Sequence, residues 1–224
     1  IFPECNGMFA TAFCDVDSRK LVLTRDRAGK KPLYIYEGDG FVAFASELRC
    51  FAPFQLEVDP ESMPYYLRFG FYPAPITAFR RTTALRPGEA VTIRDGAIVG
   101  RQRWHDFTQL NWGSEPQADV ERIDATIRDA VSIRMLSDVP VGAFLSGGID
   151  SSLVAAELKA AGHTDVPMFT VAFDSESHNE APYAAQVAKH LGLPHVELSI
   201  PPESLPEMVT DFVDCYEQPY ADSS

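Results

Sequence analysis

Apolar and polar positions alternate in short runs along the first part of the chain, from Met8 to Cys14, Leu21 to Thr24, Leu33 to Tyr36 and Phe41 to Ala45. A two-residue period belongs to strands with one face buried. Asp17-Ser18 and Asp39-Gly40 supply turn chemistry between the runs, so the pattern predicts an antiparallel sheet built of hairpins. Asp59-Pro60-Glu61 opens a short helix through Tyr65, Tyr66 and Leu67, and Gly70 ends it. A further hairpin, Ala90 to Arg94 and Ala97 to Trp104, turns at Asp95-Gly96. Tyr65, Tyr66, Phe69, Phe71 and Tyr72 read as filling for an interface between domains.

From Asn111 to Asp119 the chain turns polar, with Gly113, Ser114 and Pro116, and the period then changes. Val120 to Leu136 carries apolar residues at helical spacing. Strands at Val141–Leu145, Met168–Phe173 and His195–Ile200 alternate with helices at Ser151–Ala161, Asn179–Leu191 and Glu203–Cys215, which predicts a parallel sheet covered on both faces. The expected fold is thus an antiparallel α+β domain over residues 1–110, a linker at 111–119, and a parallel α/β domain over 120–224.

The handover from strand to helix carries the clearest chemistry. Val139 to Leu145 reads as a buried strand, and Leu153, Val154, Ala155, Ala156 and Leu158 as the inner face of a helix. Between them lies Ser146-Gly147-Gly148-Ile149-Asp150-Ser151-Ser152. The first N–H groups of a helix lack intrahelical partners and sit at the positive end of its dipole, so they attract oxyanions without a lysine. Glycines allow close backbone approach, and Ser146, Ser151 and Ser152 add hydroxyl donors. Asp150 would meet phosphate only through a magnesium ion. A serine-capped helix after a glycine turn would account for Ser146 and the glycines alone. Gly142 and Gly147 have Walker-type spacing, but Gly148-Ile149 stands where Lys and Ser/Thr would follow. The ligand these residues suit is a magnesium-bound nucleotide.

Charge sharpens the picture. Residues 1–110 carry 14 Lys+Arg against 13 Asp+Glu, a net of +1, whereas residues 111–224 carry 5 against 19, a net of −14. An acidic nucleotide half disfavours nucleic acid as a partner and leaves a triphosphate in need of cations from elsewhere. No apolar run approaches the length of a membrane span. Cys5, Cys14, Cys50 and Cys215 are scattered without metal-ligand spacing, the five histidines form no ligand pattern, and reduced thiols in a cytoplasmic protein are the simplest reading.

Several strings in order resemble one family. LSGGIDSS, Leu145 to Ser152, is similar to the pyrophosphate loop of the ATP pyrophosphatase superfamily. NGMFA from Asn6, RDRAGKKPLYIY from Arg25 and FASEL from Phe44 resemble the later strands of a class II glutamine amidotransferase domain, an Ntn-type fold. FGFYPAPIT, LRPGEAV, SDVPVGAFLSGGIDSS, FTVAF and EQPYADSS resemble glutamine-hydrolysing asparagine synthetases. The resemblance implies an ATP-dependent amide ligase that adenylates a carboxylate, usually the aspartate side chain, which ammonia from glutamine then converts to the amide. It places Ser146, Gly147, Gly148, Asp150, Ser151 and Ser152 at the pyrophosphate, Asp150 as magnesium ligand, and Leu145 and Val171 beside the nucleoside. Leu145 and Val171 are equally ordinary core residues. Glu217, Asp222 and Ser223 fall where the family brings substrate near ATP, although an acidic terminus would look the same. A homodimer is a further expectation.

Other residues depart from the family. Its glutaminase nucleophile is an N-terminal cysteine, whereas this sequence starts at Ile1, and its catalytic acidic residues and lysines lie beyond EQPYADSS. The sequence therefore reads as an internal piece, inactive alone and without glutaminase activity. Arg25, Asp26, Arg27 and Lys31 read better as a charged turn closing a hairpin than as site residues. Alternatives within reach are a β-lactam-synthetase-like enzyme using another carboxylate, a tRNA-modifying pyrophosphatase, which would need a basic stripe, and a non-catalytic module.

Overall fold

The computed structural model describes residues 1–109, 119–173, 179–200 and 205–221, so most of the expected linker, with Asp222, Ser223 and His178, lies outside the described residues. Contacts divide the chain into two units, one formed by Ile1–Asn111 with Glu207–Ser224 and the other by Trp112–Pro206.

The first unit contains two antiparallel sheets. Strands β1 (Ala10–Asp15), β2 (Lys20–Arg25), β6 (Glu89–Arg94) and β7 (Ala97–Arg103) form one, in the order β1-β2-β6-β7. Strands β3 (Tyr34–Gly38), β4 (Phe41–Ala45) and β5 (Thr82–Ala84) form the other, in the order β4-β3-β5. The hairpins β1-β2, β3-β4 and β6-β7 lie where the alternation predicts them, but β2 and β3 do not pair. Leu23, Ile35, Leu85, Val91 and Ile93 form a buried cluster to which both sheets contribute. The alternate residues Tyr34 and Tyr36 of β3 face a second cluster with Leu48, Phe51 and Phe54. Strand β3 is thus apolar on both sides.

The charged string after β2 carries the chain between these sheets and does not close a hairpin. Asp26, 1% exposed, accepts hydrogen bonds from the N–H groups of Phe9, Ala28, Lys30 and Lys31 at 2.9–3.2 Å. Burial works against its charge, but these four donors outweigh it and hold the carboxyl below its ordinary pKa. Arg25 donates to the carbonyls of Lys31, Leu85 and Gly29, and burial lowers its pKa. Both residues are structural clamps.

Asp59 caps a 3-10 turn at Pro60–Ser62 through the Glu61 N–H, and α1 (Met63–Phe69) follows, closed by Gly70 at φ 76°. Of the expected aromatic filling, Tyr72 is buried and stacks on Tyr66, while Tyr65, Phe69 and Phe71 are exposed. All four cysteines are unpaired.

The second unit is a parallel sheet in the order β10-β9-β8, from β8 (Ala143–Phe144), β9 (Met168–Ala172) and β10 (His195–Ser199). Helices α2 (Val120–Ser132), α3 (Ile149–Ala160) and α4 (Ala181–Leu191) supply Val131, Ala155, Leu158, Ala184 and Ala188 to a core with Leu145 and Met168. Buried Glu157 of α3 pairs with Arg128 of α2 at 3.0 Å. Three expectations need correction. Strand β8 is only two residues long, and Val139 is 69% exposed, not buried; Pro140 has no N–H to extend the ladder. Leu153 and Val154 are each 39% exposed, because consecutive helical residues cannot all share one face with Ala155 and Leu158. Finally, Met168, Thr170 and Ala172 are buried, but Phe144, Val196 and Leu198 remain exposed, so among the described residues one face of this sheet is covered. The remaining helix, α5 (Leu205–Tyr216), packs with the first unit from Glu207 onward. Among the described residues no helix is long and apolar enough to cross a membrane.

Candidate functional site

The segment after β8 leaves the sheet at the carboxyl end of its strands, where open α/β sheets receive ligands. The Leu145 N–H donates to the Phe169 carbonyl at 2.8 Å, which fixes the residue directly after β8. Leu145 is 1% exposed, a core residue with its backbone at the loop. Val171 is half-buried on β9, paired with Leu198.

Gly147 has φ +79°, and a Cβ there would lie 2.7 Å from the Tyr183 Cβ and 2.8 Å from the Ala184 nitrogen at the start of α4. Only glycine fits. Gly148 is the N-cap of α3 and offers no side-chain cap. The Ser152 N–H already donates to the Gly148 carbonyl, whereas the N–H groups of Gly147, Ile149, Asp150 and Ser151 have no hydrogen-bond partner among the described residues.

The hydroxyls are less free than their count suggests. Ser146 and Ser151 bond to each other at 2.9 Å, the Ser146 N–H donates to Ser151 Oγ at 3.2 Å, and the Gly148 N–H donates to Ser146 Oγ at 3.3 Å. Ser146 is exposed, so an incoming oxyanion competes with these internal bonds and with the 3.3 Å contact from Ser151 Oγ to the Gly148 carbonyl, of which only the Ser146–Ser151 hydroxyl bond is of ordinary length. Ser152 differs. Its Oγ is buried with no partner, an arrangement that folded proteins rarely leave without a reason. Asp150 stands exposed in the first turn of α3. Among the described residues no three His, Cys, Asp or Glu side chains gather as a metal site.

Sequence reasoning missed two features. Thr170, 4% exposed, donates to the Leu145 carbonyl at 2.6 Å and lies 2.9 Å from His195 Nε2. The hydroxyl has one proton, and the carbonyl can only accept, so His195 must donate through Nε2–H. This chain ties β8, β9 and β10 together directly below the loop. A buried threonine in a strand gave the only hint. Replacing Thr170 by valine, nearly the same shape, should destabilise the second unit by about 1–3 kcal/mol by stranding a buried carbonyl. Urea unfolding of wild-type and T170V chains checks this.

The second feature is the partnership of Glu217, which the sequence singled out only as a candidate near substrate: its carboxylate accepts from the Leu48 N–H at 2.5 Å and pairs with Arg49. Neither partner is near it in sequence.

Residues 122–224 match the asparagine synthase family model, and residues 1–105 match the glutamine amidotransferase domain model. The chain is 34% identical to asparagine synthetase [glutamine-hydrolyzing] 1 of Bacillus subtilis, over 97% of this chain and 35% of that protein. It is 32% identical to asparagine synthetase [glutamine-hydrolyzing] 3 of the same organism, over 78% of this chain and 29% of that protein. Amidase chyE of Penicillium rubens is 30% identical over 96% of this chain and 35% of its own length. The chain thus spans about a third of the length of these relatives. Among solved structures, an NH3-dependent NAD synthetase from Campylobacter jejuni gives a TM-score of 0.33 at 21% identity over 45% of this chain and 43% of that one, too slight a likeness to carry any argument. With an amidotransferase match over residues 1–105, an asparagine synthase match over residues 122–224 and 34% identity to a glutamine-hydrolysing asparagine synthetase along 97% of this chain, the chain belongs to the glutamine-hydrolysing asparagine synthetase family.

Proposed function

We propose that the full-length protein is an ATP-dependent amide ligase and that the Ser146–Ser152 loop holds the pyrophosphate part of ATP. The observation that carries this reading is the row of unpartnered main-chain N–H groups around Gly147 at the head of α3, in a loop too tight for any side chain at Gly147. In this reading an aspartate side-chain carboxylate attacks the α-phosphorus of ATP and pyrophosphate departs. Ammonia released from glutamine then attacks the acyl carbon, AMP leaves, a proton is lost, and asparagine forms.

This chain's residues contribute position and field. The N–H groups of Gly147, Ile149, Asp150 and Ser151 face the charge that builds on the leaving group, and fixed donors at such a point lower the barrier without reorganising. The Ser152 hydroxyl gains the partner it lacks, and Ser146 and Ser151 exchange their mutual bond for phosphate oxygens. Leu145 and Val171 lie beside the nucleoside. Asp150 suits magnesium as the one carboxylate that such an ion takes alongside water and phosphate oxygens, and when bound the ion would offset phosphate charge.

The matches over residues 1–105 and 122–224 support a division of labour with residues 1–110 on the glutamine side as the later part of an Ntn-type domain, 120–224 on the ATP side and 111–119 between. A cytoplasmic setting, small-molecule partners without nucleic acid, and a homodimer complete the reading. A different acceptor carboxylate has one observation behind it, the 30% identity to Amidase chyE.

Exchange of labelled pyrophosphate into ATP by the full-length protein tests the function. Exchange that requires aspartate is expected, and exchange driven by another carboxylic acid would move the assignment to the second acceptor. No exchange with any carboxylate would refute it.

A further inference from the structure

A single peptide group joins the buried sheet of the second unit to the loop above it. The carbonyl of the Leu145–Ser146 peptide accepts from Thr170 Oγ1 at 2.6 Å, and the N–H of the same peptide donates to Ser151 Oγ at 3.2 Å. Because a peptide is planar, holding its carbonyl also aims its N–H. On the sheet side Thr170 receives the Nε2–H of His195 at 2.9 Å. Every donor along this chain therefore points the same way, from His195 to Thr170, from Thr170 to Leu145 and from Ser146 to Ser151. Hydrogen bonds aligned head to tail polarise and strengthen one another. The Leu145 N–H belongs to the preceding peptide and is held separately by the Phe169 carbonyl at 2.8 Å. Loss of the Thr170 hydroxyl thus leaves that strand contact in place and frees the peptide that enters the loop.

We infer that Thr170, buried at 4% exposure, is a positioning residue that sets the Ser151 hydroxyl as a donor to the pyrophosphate. The inference rests on the ligase reading above. With one lone pair of Ser151 Oγ taken by the Ser146 N–H, the Ser151 proton turns to an acceptor, which is Ser146 Oγ at 2.9 Å or the Gly148 carbonyl at 3.3 Å in the empty loop. Phosphate oxygens only accept, so they need that proton. A freed Leu145–Ser146 peptide rotates, the Ser146 N–H leaves Ser151, and the hydroxyl no longer has one direction to point.

The test uses the full-length protein, under conditions where urea curves show each variant folded, with magnesium pyrophosphate as the probe and pyrophosphate exchange into ATP as the activity. Thr170→Val should weaken magnesium pyrophosphate binding about tenfold and raise the KM for ATP by a similar factor, the worth of one well-placed hydrogen bond. Thr170→Ser keeps the hydroxyl and should stay within about twofold of wild type, as should the KM for aspartate in both variants. Were Thr170 only to hold the strands together, Thr170→Val would lower the folded fraction and hence kcat at unchanged affinity and unchanged KM for ATP, and that result would overturn the inference. Thr170→Val combined with Ser151→Ala should cost less than the product of the two single losses, because both break one chain; a full product would overturn the route through Ser151. Wild-type protein that neither binds magnesium pyrophosphate nor exchanges it into ATP would instead refute the ligase reading. In that event hydrogen exchange still decides the positioning: the Ser146 N–H should be protected in wild type and Thr170→Ser and lose its protection in Thr170→Val, and an unprotected wild-type amide or equal protection in Thr170→Val would overturn it.

Discussion

Gly147→Val should abolish binding of magnesium-ATP while leaving the amidotransferase half folded. At φ +79° a branched residue meets backbone strain of about 1–3 kcal/mol, and its Cβ is driven against the Tyr183 Cβ and the Ala184 nitrogen. Those atoms belong to the start of α4, whose Ala184 and Ala188 are buried in the core, so the loop is the part that must yield. Displacing it by even an ångström misaligns every donor on the pyrophosphate, and a loss of affinity of about a hundredfold or more follows. Gly162→Ala is the matching control. Gly162 also has a left-handed φ, +90°, but nothing lies within 4 Å of its missing side chain. Calorimetric titration with ATP and magnesium should therefore separate the two variants clearly. Wild-type affinity in Gly147→Val would remove the loop from the account.

The largest stability effect is expected at Asp26. Replacing it by alanine strands three N–H donors of its own loop and that of Phe9, just before β1, in a site that is 1% exposed, and the cost should reach at least about 3 kcal/mol, enough to unfold the amidotransferase half under mild denaturant. The loop between β2 and β3 passes the chain from one sheet to the other, so its collapse would uncouple the cluster around Leu23, Ile35 and Leu85. The same carboxylate gives a pH signature. Its folded pKa lies below the ordinary value, so the unfolded chain binds the proton more readily. The stabilisation is therefore present above about pH 4 and lost as the pH falls from there through the depressed folded value. Asp26→Asn should flatten this acid arm. Denaturant melts between pH 2 and 7 measure both effects, and an unchanged acid arm would show that Asp26 does not carry it.

Much of this architecture can be read from local pattern. The β1-β2, β3-β4 and β6-β7 hairpins, the helix that Gly70 closes, and the placement of Ser146–Ser152 between strand and helix all follow from spacings of two or about four residues and from turn chemistry. What fails to show is partnership over distance. The alternation that marks Leu21–Thr24 and Leu33–Tyr36 as strands is the same whether they pair or part. Only the folded loop reveals that Asp26 gathers N–H groups from its own loop and from Phe9 before β1, and that β3 goes to another sheet. In α3 the run Leu153–Ala156 is apolar on every side, so its inward face becomes visible only once Ala155 and Leu158 are seen to meet Val131 and Ala184. Thr170 is invisible for a similar reason: its strand neighbours are apolar, and its role depends on a carbonyl 25 residues earlier. Glu217 is the extreme case, an acidic residue near the end of the sequence whose partners Leu48 and Arg49 lie in the FASEL region.

The central claim is that main-chain N–H groups of the loop after β8 grip a diphosphate. Amide resonances of Gly147, Ile149, Asp150 and Ser151, followed while magnesium pyrophosphate is added to the protein, test it most directly. The account predicts that these signals shift together and saturate, with those of Gly162 and Gly192 unmoved. Loop signals that stay in place at saturating ligand, in a protein that still turns over ATP, would contradict it.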